Sequence, residues 1–63
     1  MTQKELLYVE DAVEHEKVIV DIINESINGT IEDDIVSFLN NEIEKHNSIK
    51  QRLMNLLEEK SNE

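Results

Sequence analysis

The chain has 63 residues, 15 of them acidic and 6 basic, for a net charge of −9. A chain this short buries only about 60% of the surface its unfolded form exposes, so its core needs help from a metal, a partner or very regular packing. The absence of cysteine excludes disulfides, thiolate zinc sites and cysteine nucleophiles. The acidic balance disfavours nucleic acid and anionic lipid surfaces.

Helix 1 is predicted from about Gln3 to Asn28. Thr2 and Glu5 make an S/T-x-x-E capping box at its start. There is no proline and only one glycine, Gly29, close to mid-chain. Gly29 is expected to close helix 1 in the left-handed conformation. The turn is placed at 28–30, with Thr30 as N-cap of helix 2 and Asp33 three residues on. Glu32, Asp33 and Asp34 then favour the positive end of that helix's dipole. Helix 2 is predicted from about Ile31 to Glu59, and Lys60–Glu63 is expected to fray. So short a connection makes the helices antiparallel neighbours. The expected fold is all-α: one helical-hairpin domain over residues 1–63, dimerising into a four-helix bundle.

A wheel at about 100° per residue gives helix 1 an apolar stripe of Leu6, Val9, Val13, Val20, Ile23 and Ile27, widened by Ala12 and Ile19. Helix 2 has Ile35, Leu39, Ile49, Leu53, Leu56 and Leu57, flanked by Phe38 and Ile43. Ionisable residues interrupt both stripes: Glu16 in the first, Glu42 and His46 in the second. With Gly29 as the pivot, Glu16 stands level with Glu42, and His46 is one turn further along. Three side chains of metal-ligand type thus converge on one layer of an aliphatic core. Burying such charges unpaired costs several kcal/mol even after relaxation, and a cation relieves that cost. Two other readings stand beside the metal: an i,i+4 ion pair of Glu42 with His46, or a polar layer that fixes register or oligomeric state.

Helix 1 also carries a second apolar strip, Leu7, Val18 and Ile22, beside Tyr8; helix 2 has a weaker one, Val36 and Met54. One hairpin cannot cover both strips on one helix, so a homodimer, or a higher homo-oligomer, is expected. Glu10, Asp11, Glu14 and His15 read as a solvated acidic face around a second histidine. Lys17 with Asp21, and Glu42 with Lys45, read as ordinary helix-surface pairs. Ser26, Ser37 and Ser48 have no histidine at helical spacing, and there is no phosphate loop or nucleophile elbow, so hydrolase chemistry lacks support.

A dimer would bring together two copies each of Glu16, Glu42 and His46. With the segments Glu5–Ala12 and Phe38–His46, this pattern resembles the ferritin-like superfamily, particularly short spore-coat-F-type helical proteins. The resemblance implies a metal site of Glu16, Glu42 and His46, with iron as the first candidate and zinc or manganese as others. Ferroxidase-type activity would follow if two irons were held. The sequence departs from the family's Glu-x-x-His motif, since Glu42 and His46 are Glu-x-x-x-His. The alternative is a metal-free regulatory or protein-interaction module, an acidic adaptor or a hairpin similar to the small sporulation phosphatases. Ser37-Phe38-Leu39-Asn40-Asn41 does not match the Ser-x-x-Leu-Asp signature of those phosphatases. Met1–Glu5 lacks a secretion-signal layout and no apolar run reaches membrane-spanning length, so the expected location is the cytoplasm, with spore association in view.

Overall fold

The structure, a computed structural model, describes residues 1–61. It consists of two antiparallel helices, α1 (Gln3–Asn28) and α2 (Asp33–Ser61), packed along their length as a hairpin 47 Å long. Among the described residues there is no strand and no helix long and apolar enough to cross a membrane. The all-α hairpin read from the sequence is the observed fold. α2 runs through Lys60 and Ser61, where fraying was expected; Asn62 and Glu63 lie outside the described residues.

α1 starts as its sequence dictates. The Thr2 side chain accepts from the Glu5 amide at 3.1 Å, and the Thr2 amide donates to Glu5 Oε1 at 2.7 Å. This reciprocal pair satisfies two amides that a helix start otherwise leaves unpaired. It also holds the Glu5 carboxyl below the usual glutamate range, chiefly through the backbone hydrogen bond from Thr2.

The connection differs from expectation. Gly29 is not left-handed; its φ is −94°. The last turn of α1 closes by tight i→i+3 bonds, Gly29 N–H to Ser26 O at 3.3 Å and Thr30 N–H to Ile27 O at 3.1 Å. The Thr30 hydroxyl donates to Ser26 O at 2.6 Å. Thr30 therefore finishes α1 and is not the cap of α2. The chain continues through Glu32, whose carbonyl accepts the first bond of α2 from Val36 N–H at 3.0 Å. Helix 2 thus begins at Asp33, two residues later than expected. Ile31 is left at the tip of the turn, 93% exposed.

The inward positions repeat every three and four residues in both helices. On α1 they are Leu6, Val9, Val13, Glu16, Val20, Ile23 and Ile27; on α2, Val36, Leu39, Ile43, His46, Lys50, Leu53 and Leu57. This is the heptad of an antiparallel coiled coil, with a period of 3.5 instead of 3.6. The expected face of helix 2 shifts as a result, with Ile43 moving from its flank to an inner position and Leu56 from the stripe to the side. Ile35 and Ile49, expected in the stripe of helix 2, are 46% and 40% exposed, while Val36 turns inward. Among the described residues Val13 alone is buried, at 6% exposed, because two helices enclose a single seam and no interior beyond it.

Candidate functional site

Near the middle of the hairpin the seam changes from aliphatic to polar. Glu16 enters from α1 and His46 from α2, both at inner heptad positions, with side chains 15% and 24% exposed. His46 Nδ1 lies 2.5 Å from Glu16 Oε2 across the helix interface. With the carboxylate accepting, Nδ1 carries the proton. On the other side of the ring, Nε2 lies 4.0 Å from Oε2 of Glu42, one helical turn earlier on α2. Glu42 also takes Lys45 Nζ at 3.3 Å. The expected surface pair of Glu42 with Lys45 is therefore present. Lys17 bonds Glu14 at 3.3 Å, rather than the expected Asp21.

The three residues singled out from the sequence do meet, but their order differs. Glu16 stands against His46, not level with Glu42. The pivot of the hairpin is at Ile31, midway between Glu16 and His46, because the connection runs on through Glu32 before α2 starts. Lys50 was missed. It is half-buried, one turn beyond His46 on the same seam. Its signal was available as the next step of the heptad after residues 43 and 46.

The geometry bears on a metal. Glu16 and Glu42 lie on opposite edges of the His46 ring. Glu16 takes up Nδ1, which leaves one ring nitrogen and one carboxylate facing each other. Histidines held by a carboxylate in this way do occur as metal ligands. One hairpin, however, does not make up such a site. Among the described residues, no group of three or more His, Asp or Glu is placed to hold a metal ion.

No family model, curated protein or solved structure matches the chain.

The surface of the described residues includes two shallow depressions. One is lined by Ile49, Arg52, Leu53 and Leu56, the other by residues that include Glu10, Glu14, Met54 and Leu57. Neither contains His46. The exposed large apolar side chains are the more prominent feature: Tyr8 and Phe38, the chain's two aromatic residues, are 61% and 60% exposed, and Leu7, Val18 and Ile22 are also open.

Proposed function

We propose that this chain is a metal-free protein-interaction module. It is a hairpin whose Glu16–His46–Glu42 layer fixes the register of the two helices and whose apolar surface docks on other helices. The observation that carries this reading is the exposure of Tyr8, Ile22, Phe38 and Ile49 while, among the described residues, Val13 alone is buried. These side chains leave apolar surface in water, and packing on a partner removes it at roughly 25 cal/mol per Å².

A second reading is supported by the Glu16–His46 contact. A carboxylate holding Nδ1 leaves Nε2 free to bind a cation together with Glu42, and a second copy would supply the missing ligands. Iron, zinc or manganese would then belong to a ferritin-like dimer, and oxygen chemistry would become a question.

One experiment separates the two. Thermal unfolding is followed by circular dichroism, with chelator and then with iron(II), zinc or manganese added. The interaction reading expects the same melting temperature throughout. An increase with metal, abolished by Glu42→Ala and by His46→Ala, overturns it in favour of the metal.

A further inference from the structure

The heptad identifies the surface used. Each residue that immediately precedes an inner position lies about 100° round its helix in the same sense. Because α1 and α2 are antiparallel, that sense brings both sets to one side of the hairpin. On α1 this side carries Tyr8, Ala12, Ile19 and Ile22. On α2 it carries Ile35, Phe38, Ile49 and Leu56. The depression at Ile49, Arg52, Leu53 and Leu56 opens here. The residues that follow each inner position share the opposite side, where Glu10, Glu14 and Asp21 from α1 stand with Asn40, Glu44 and Gln51 from α2. Leu7 and Met54 are the only large apolar side chains there.

We infer that this apolar side docks face to face on the same side of a second copy of the chain, giving a four-helix bundle. The inference rests on the interaction reading above and names its partner. Two observations select a second copy. The first is charge. In a chain of net charge −9, the apolar side is balanced, with Lys45 and Arg52 against Glu5 and Glu42. Two acidic copies can therefore meet here, with Glu42 of each offered to cations of the other and the acidic sides turned out to solvent. The second is area. The hairpin exposes 4885 Å², whereas a compact monomer of its mass exposes about 4,200 Å². The excess, roughly 700 Å², approaches the 800 Å² or so that each partner contributes to a standard interface.

The chain has no cysteine, so introduced thiols report on single positions. Ile49→Cys places one on the apolar side, and Gln51→Cys one on the opposite side. Sedimentation equilibrium gives the oligomeric state, circular dichroism confirms helicity, and maleimide labelling reads exposure. The expected result is a dimer at high micromolar concentration, with Ile49→Cys labelled several-fold more slowly than Gln51→Cys. The difference should vanish on dilution, or when Phe38→Lys is added. A helical monomer at every concentration overturns the inference. So does a dimer that protects position 51 and leaves position 49 open, although the interaction reading then survives. Metal-dependent stability would instead sink the interaction reading, whatever the oligomeric state.

Discussion

His46 Nδ1 meets Glu16 Oε2 at 2.5 Å across the two helices, 30 residues apart in sequence. The contact holds one turn of α1 against one turn of α2. A polar pair in an apolar seam commonly sets register at a cost in stability. His46→Ala leaves the half-buried Glu16 carboxylate without this partner and is expected to cost about 1–3 kcal/mol. Replacing Glu16, Glu42 and His46 together by leucine is expected to raise the melting temperature and to broaden the distribution of oligomers. Urea unfolding with sedimentation velocity reads both effects. A triple variant less stable than His46→Ala would refute the register role.

The start of α1 gives a prediction with a defined sign in pH. The Glu5 carboxyl is held below its ordinary range by the Thr2 backbone hydrogen bond. A depressed carboxyl contributes stability that is present above its unfolded pKa and is lost as pH falls through the folded value. The protection of amides in the first turn of α1, taken relative to the intrinsic exchange rate at each pH, should therefore fall on acidification below the usual glutamate range. Glu5→Gln should remove this pH dependence. Thr2→Ala removes the other half of the box, with an expected cost of about 1 kcal/mol to the helix.

Gly29 is the natural suspect for a residue that only glycine can occupy, yet the structure does not require it there. Its φ of −94° is open to any residue. A Cβ added at Gly29 would meet Ser26 O at 3.9 Å and Glu25 O at 4.0 Å, ordinary contacts. Gly29→Ala is expected to stabilise the hairpin by about 0.4–1 kcal/mol, by reducing the freedom of the unfolded chain. Loss of stability on denaturant unfolding would show that the turn needs conformations that alanine resists.

Much of this was legible in the residues, for physical reasons. The Thr2–Glu5 box and the run from Gln3 to Asn28 depend on local signals, and α1 has those bounds. The turn was harder because Thr30 has one hydroxyl and two helices that can use it; α1 takes it, and α2 starts later. That delay moves the pivot from Gly29 to Ile31, which replaces an expected Glu16–Glu42 level with the Glu16–His46 contact. Glu16, Glu42 and His46 were still identifiable, since charges inside an apolar stripe stand out at any register. The faces of α2 were not, because a wheel at 100° per residue drifts about 20° per heptad against a 3.5-residue repeat. Across a helix of 29 residues that drift is enough to exchange Ile35 with Val36.

Lys50 follows from the corrected register. It occupies an inner heptad position between His46 and Leu53 and is half-buried. A lysine there lays its aliphatic stem along the seam and carries its ammonium toward water, so the stem packs but the head limits how closely the helices approach. A single lysine at such a position is a known way of specifying partner and register at the expense of stability. Lys50→Leu is therefore expected to raise the urea midpoint and to deepen the negative charge of the chain by one. The same change at the exposed Glu44 should leave the midpoint nearly unaltered, because residue 44 lies off the seam. If Lys50→Leu lowered the midpoint instead, the ammonium would be making an ionic contact in the seam worth more than the packing of a leucine, and Glu16, one turn of heptad away across the interface, would be the first residue to replace in a double-mutant cycle.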